Sequence, residues 1–394
     1  MNFIFISPHF PDSSKLFCQS LKNNGVNVLG IGDCYYEDFS DELKQSLTDY
    51  YRVDSLENYE EVLRGCAYFI YRYGRIDKIE SLNEYWLKND ALLRKDFNIS
   101  GMHPEYMDKI RRKSGMKEFY KKAGVPFARY ITVNDMGDYV AAKEFGEKYG
   151  YPILAKPDIG VGATSTFKIE SQGELEDFLS GKDAGPFIIE EFVRGNIITF
   201  DGLTDSGSNI LYAANHFLPV SLLDMVSNDT DVIYHSEKVS QKLMDVGQRT
   251  LKAFNAKSQF FHFEYFLLDE DDRRFGQKGD IVALEVNMRP GGAYIPDMIN
   301  YAADIDIYQL WADMICYDKI PELVMADYYS GYVGRKYKKM YRHSHDDIVE
   351  KYGDKIVLVK DVEGIFTRAM GKIAYIFRSE ELSEIEEITE YITR

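Results

Sequence analysis

Three oxygen-bearing side chains fall close together late in the chain. Glu264 sits in Phe260–Leu268 (FFHFEYFLL), and Glu285 and Asn287 sit in Ile281–Arg289 (IVALEVNMR). Both runs are apolar around these residues, and the segment between them (DEDDRRFGQKGD) carries Gly276 and Gly279, so the pair reads as a β-hairpin. Side chains alternate faces along a strand. That alternation predicts Ile281, Ala283, Glu285 and Asn287 on one face and Val282, Leu284, Val286 and Met288 on the core face, with Glu264 opposite on the partner strand. Two carboxylates and an amide oxygen form a hard donor set suited to Mg²⁺. Burying both glutamates without a cation would be costly or would force protonation. Arg289 could neutralise one of them. The competing reading leaves the glutamates facing water on an open sheet edge, which the apolar flanks disfavour.

Two further segments could hold an anion or a flat ring. In Tyr151–Ile169 (YPILAKPDIGVGATSTFKI) a lysine, Lys156, ends an apolar strand, and a small-residue loop through Gly160, Gly162, Ala163, Thr164 and Ser165 follows. Such a loop lets backbone amides approach phosphate oxygens, and the lysine adds a point charge. It is not a Walker A loop, because no GK[ST] follows. A glycine-rich hairpin turn explains it equally well. Phe187–Gly195 (FIIEEFVRG) is a buried strand running into Glu190, Glu191 and Val193, where free strand backbone could pair with a purine edge.

These groups need a scaffold of strands and helices. Residues 1 to about 100 alternate strand and helix, with strands at Asn2–Ser7, Val26–Gly32 and Tyr51–Val53, helices at Ser13–Asn24 and Tyr59–Gly65, and an apolar stretch again at Tyr68–Tyr71. This rhythm predicts a small parallel sheet. The Rossmann glycine fingerprint is absent after the first strand, where SPHFPDSS stands, so this unit is expected to be a scaffold. A helix is expected over Lys109–Ala123, closed by Gly124, Val125 and Pro126. Beyond it, paired β-runs suggest antiparallel sheets and an α+β unit, and strands at Ile356–Val359 and Ile373–Phe377 with a closing helix at Ser379–Tyr391 give a last α/β segment. The net charge of −17 opposes nucleic acid and anionic membrane as partners. The four cysteines show no metal-ligand spacing, and neither a signal peptide nor a membrane-spanning stretch is present, so a cytoplasmic location is expected. The basic run Arg335, Lys336, Lys338, Lys339, Arg342 reads as a solvated face.

Taken in order, these segments resemble the ATP-grasp superfamily, and specifically its carboxylate–amine ligase branch. The likeness covers about residues 100–320, and its strongest piece is FHFEYF…IVALEVNMRPGG. The resemblance implies a pre-ATP-grasp α/β domain at residues 1–100, an ATP-grasp domain of two α+β subdomains at 101–325 with a flexible lid at about 125–190, and a C-terminal α/β segment at 326–394 packing on that core. It implies that Glu264, Glu285 and Asn287 hold magnesium, two ions being usual and Mn²⁺ an alternative. Arg289 would contact phosphate or the substrate carboxylate, and Gly291 and Gly292 would let the chain pass close to it. RRKSGMKEFYKKAGVPFARY looks like the first lysine helix; counting back from Gly124 puts Lys113 on the nucleotide, with Lys109 as runner-up. Lys156 matches the second lysine, Gly160–Thr166 (with Gly160, Gly162 and Ser165) the phosphate-covering loop, and Glu190, Glu191 and Val193 the adenine linker. One departure is plain: the usual ribose-binding glutamate is missing, so either Asn196 or Asp201 replaces it or the ribose is held loosely.

The function implied is ATP-dependent joining of a carboxylate to an amine through an acyl-phosphate, releasing ADP, with amino acids as substrates. Arg289 and Lys156 would be the catalytic pair. A small-molecule kinase or a catalytically silent ATP-binding regulatory protein are the alternatives. Biotin carboxylase would need motifs not found here, and carbamoyl-phosphate synthesis a duplicated half. Dimers are common among look-alike enzymes, so a homodimer is a further expectation that the sequence itself does not read.

Overall fold

The apolar runs at the start of the chain build a parallel sheet. Strands β1 (Asn2–Ile6), β2 (Asn27–Gly32), β3 (Asp49–Arg52) and β4 (Lys78–Glu80) lie in the order β3-β2-β1-β4, each pair parallel. The computed structural model describes residues 1–394 except 161–164, 182–185, 220–229, 293, 338, 363 and 365–366. Alternation along β1 sends Phe3 and Phe5 to one core and Ile4 and Ile6 to the other. On the first side Phe3 meets Trp311 edge-on at 5.8 Å between ring centroids, so this sheet shares its core with the helix Ile307–Tyr317 far along the chain. On the second side lies the helix Tyr59–Tyr73, whose Val62, Cys66 and Phe69 recur at helical spacing and are buried. The apolar stretch Tyr68–Tyr71 is therefore the last part of that helix, not a separate element.

The helix expected over Lys109–Ala123 is two helices, Pro104–Ile110 and Lys113–Ala123, with a break at Arg111 and Arg112. A distant residue makes the break. Asp158 accepts the Ser114 N–H at 2.8 Å and the Ser114 hydroxyl at 2.9 Å, while its carbonyl accepts the Lys113 N–H at 2.8 Å. A carboxylate on the exposed amides of a first turn starts a new helix there. Periodicity cannot register a cap supplied from 44 residues away.

Asp158 follows the strands of a small antiparallel sheet. Strands β5 (Tyr130–Val133), β6 (Ile153–Pro157), β7 (Phe167–Ile169) and β8 (Phe187–Glu191) pair in the order β5-β8-β6-β7. The largest sheet has eight strands: β9 (Asn196–Thr204), β10 (Ile210–Leu218), β11 (Val232–Glu237), β12 (Gln259–Leu267), β13 (Ile281–Asn287), β14 (Tyr329–Arg335), β15 (Ile356–Asp361) and β16 (Ile373–Ser379). Their order is β13-β12-β9-β10-β11-β14-β16-β15, antiparallel throughout. The last three strands do not form a sheet of their own. Strand β14 pairs with β11 over four residues, so the C-terminal segment continues the sheet that carries the acidic hairpin. Arg335 and Lys336 are buried there, against the expectation of a solvated basic face; the Arg335 Nε donates to the Ile392 carbonyl at 2.7 Å. Among the described residues, no helix is long and apolar enough to cross a membrane.

Candidate active site

Strands β12 and β13 bring the acidic residues together. In their register Glu264 pairs with Glu285, and His262 with Asn287. Directly opposed residues on an antiparallel pair share a face. The pairing holds despite a register shift, since Tyr265 pairs with Ala283 and Leu284 is left over as a β-bulge. The bulge corrects the simple alternation. Ile281, Ala283, Val286 and Met288 all pack in the cluster around Tyr120 and Tyr265. Glu285 and Asn287 stay together, as expected, but Ile281 and Ala283 belong to the opposite face. The extra residue turns Glu285 out of the core and towards Glu264.

Cations surround this acidic pair. Lys113, on the first residue of its helix, places Nζ 3.5 Å from Glu285 Oε1 and donates to the Gly160 carbonyl at 2.8 Å. Burial pushes the Glu285 carboxyl up, helped by the Glu264 charge and opposed by Lys113. Burial also works against charge on Glu264, but the hydrogen bond and charge of His262 hold its carboxyl below its ordinary value. Neighbouring acids with environments pulling apart are typical of a site that exchanges cations or protons. Two carboxylates, the Asn287 amide and a neighbouring lysine fit a divalent cation next to an anionic ligand.

A second charged centre lies where the small sheet meets the Lys113 helix. Glu190 on β8 is buried between two buried lysines: Lys156 of β6, with Nζ 2.5 Å from Oε2, and Lys117, paired with Oε1. Burial would raise the Glu190 carboxyl, but Lys117 and Lys156 overcome it and hold the group down at about 2. The triad carries one surplus positive charge. Sequence reading singled out Lys156 and Glu190 but passed over Lys117 as one of several helix lysines. Its spacing of four from Lys113 puts both on one helix face, which was the available signal. Glu191 faces away from this centre: it accepts the Arg129 N–H at 3.1 Å. Val193 is buried just past β8. Gly160 and Ser165 flank the small-residue loop, and Gly162 lies outside the described residues.

Asp201, the residue expected at the ribose, lies inside the large sheet. It is fully buried on β9, with Oδ1 2.6 Å from His262 Nδ1 and Oδ2 3.0 Å from His216 Nδ1, and it also accepts from Thr199. Both oxygens are thus occupied within the sheet. Burial opposes its charge, yet the two imidazoles keep its carboxyl well below the usual range. His262 joins the chain to the site, with Nε2 3.2 Å from Glu264 Oε1. Burial disfavours its charged form, but Asp201 and Glu264 raise it to about 9. Arg289, two residues after Asn287, acts by its charge on Glu264 and has Nε 3.3 Å from Glu84 Oε2 in the N-terminal region.

The fold is that of the ATP-grasp ligases. An L-amino acid ligase from Bacillus licheniformis superposes with a TM-score of 0.73 at 14% identity, covering 99% of this chain and 96% of that one. An N5-carboxyaminoimidazole ribonucleotide synthetase in its ADP complex gives 0.71 at 13% identity over 99% of this chain and 95% of its own. By sequence the chain is similar to amino-acid ligases. It is 24% identical to the L-arginine-specific L-amino acid ligase of Bacillus subtilis over 323 residues, 78% of this chain and 74% of that protein. It is 23% identical to the alanine–anticapsin ligase of Bacillus subtilis over 313 residues, 71% of this chain and 64% of that protein. No family model matches the chain.

Proposed function

We propose that this protein is an ADP-forming ligase that joins an amino-acid carboxylate to an amine, with magnesium and ATP as cofactors. The observation that carries the reading is the facing of Glu264 and Glu285 across β12 and β13, with Lys113 Nζ 3.5 Å from Glu285. Glu264, Glu285 and Asn287 would hold magnesium, two ions rather than one, with Mn²⁺ able to substitute. The metal would neutralise charge on the phosphate tail. Lys113 and Lys156 would bind the phosphates, Val193 and the backbone at Glu190 and Glu191 the adenine, and Gly160, Gly162 and Ser165 would cover the phosphates and exclude water.

The substrate carboxylate attacks the γ-phosphorus and ADP leaves. The amine then attacks the acyl carbon, phosphate leaves, and the amine gives up a proton. No side-chain nucleophile is needed, so the demand on this chain is to position and neutralise anions. Names of the relatives, an L-arginine-specific ligase and an alanine–anticapsin ligase, support amino acids as substrates. The free cysteines, Cys18 and Cys66 buried among them, agree with a reducing, cytoplasmic location. A homodimer without nucleic-acid or membrane partners completes the reading.

The test is ADP release from the full-length protein with pairs of L-amino acids, magnesium and ATP, with products identified by mass spectrometry. ADP and a new amide formed only when acid and amine are both present is the expected result. ADP with a stable phosphorylated acid would make the protein a kinase, and nucleotide binding without ADP would make it a silent binder.

A further inference from the structure

The triad where the small sheet meets the Lys113 helix holds one cation too many. Each oxygen of Glu190 takes one lysine, Oε2 that of Lys156 and Oε1 that of Lys117, and no member keeps more than 6% of its side chain exposed. A buried carboxylate between two ammonium groups is compensated by either one alone. The second positive charge is therefore in excess. The excess is felt at Lys117: burial and the Lys156 charge push its ammonium below its ordinary value, and Glu190 opposes them. An anion arriving at the triad relieves that excess.

The two lysines are not equally free to meet it. Lys117 stands inside its helix, with Nζ 5.8 Å from the ring centroids of both Tyr120 and Phe127. Phe127 is itself tied to the acidic hairpin: it bridges to Ala283, whose N–H donates to the Pro126 carbonyl at 2.8 Å. Packed rings attract and hold a cation beside them. Lys156 stands one residue before the end of β6, where the chain runs on towards Gly160, and the Gly160 carbonyl accepts from Lys113. Its charge already acts on Glu285. Lys156 is thus the lysine on the side of the proposed phosphates, and Lys117 is the one built into the wall.

We propose that Lys117 is a positioning residue: it keeps Glu190 compensated when Lys156 turns from that carboxylate to the nucleotide phosphates. The proposal deepens the ligase reading and rests on it, since that reading puts ATP at Lys156. The charge balance fixes the sign of each change. With Lys117 present, Lys156 leaves behind a neutral Lys117–Glu190 pair. Without Lys117, Lys156 can leave only by stranding a buried carboxylate, which is costly. Neutralising Glu190 as well takes away the reason for Lys156 to stay. A lysine that touched the nucleotide directly, or one that only filled space, does not produce this reversal.

Calorimetric titration of the full-length protein with ATP and magnesium, with no amino acid present, is the test. Lys117→Met leaves Glu190 and Lys156 as a balanced pair, so circular dichroism should be unchanged, while ATP affinity should fall about tenfold or more. Combining Lys117→Met with Glu190→Gln should bring the affinity back to within about threefold of wild type. If Lys117→Met does not fold, Lys117→Gln takes its place in both arms, since it keeps a donor without the charge and should give the same loss and the same recovery. Unchanged ATP affinity in the single variant overturns the proposal, and so does a double variant that binds no tighter than the single one. A wild type that does not bind ATP overturns the ligase reading and this proposal together. A wild type that binds ATP but makes no amide overturns the ligase reading alone.

Discussion

The acidic hairpin and the small four-stranded sheet solve opposite electrostatic problems. On β12 and β13 carboxylates are in excess, and Lys113 and His262 partly offset them. Where β6 and β8 meet the Lys113 helix lysines are in excess, and Glu190 pairs with both Lys117 and Lys156. Neither region is balanced by itself, and the signs are complementary to a cation on one side and an anion on the other. A metal–triphosphate pair has that polarity. On the proposed reading, the charges suit a ligand that spans both regions, with the Lys113 helix as the element common to them.

Substitutions on either side put this contrast to the test. On the acidic side, Glu285→Gln removes a charge from the metal site and should lower ADP release by about 10²–10³-fold or more while leaving the far-ultraviolet circular dichroism unchanged; rates near wild type would remove Glu285 from the chemistry. On the basic side, Glu190→Ala leaves two buried lysines uncompensated and should cost about 3–5 kcal/mol in urea unfolding. A loss below about 1 kcal/mol, the scale of an exposed pair, would mean that the triad is wetter than its burial implies. Lys156→Ala should weaken ATP about tenfold in equilibrium binding, equivalent to about 1.4 kcal/mol, and unchanged affinity would detach it from the nucleotide.

The smallest effect concerns His262. Its folded-state value is raised to about 9, so its ion pairs add stability that is complete below its ordinary value of 6.5 and is lost as pH rises through about 9. His262→Gln in the metal-free protein should therefore flatten the fall in melting temperature between pH 6.5 and 9. An equal slope in both proteins would show that His262 is not charged at neutral pH.

The hairpin was the most legible part of the chain because its signal is local. Apolar flanks, a polar turn and a two-residue spacing sufficed to pair Glu285 with Asn287 and to set Glu264 against them. What escaped was the bulge at Leu284, since an inserted residue changes the phase without changing composition. Other parts were illegible because their causes are distant. The helix start at Lys113 depends on Asp158, and the burial of Lys117 depends on Glu190. Periodicity likewise gives no sign that two histidines from β10 and β12 lie beside Asp201. Arg335 looked solvated because a basic run gives no sign that its first members enter a sheet.

Asp158 is one of the residues that tie the small sheet to the Lys113 helix. It leaves the end of β6, yet its side chain and carbonyl hold the amides of Lys113 and Ser114, and Arg112 reaches its carboxylate at 3.1 Å. Any swing of the small sheet must therefore either drag the tip of that helix along or break four polar contacts at once. Coupled in this way, Lys156 and Lys113 would keep their relative positions if the sheet moved, held by Asp158 together with the Lys117–Glu190 pair.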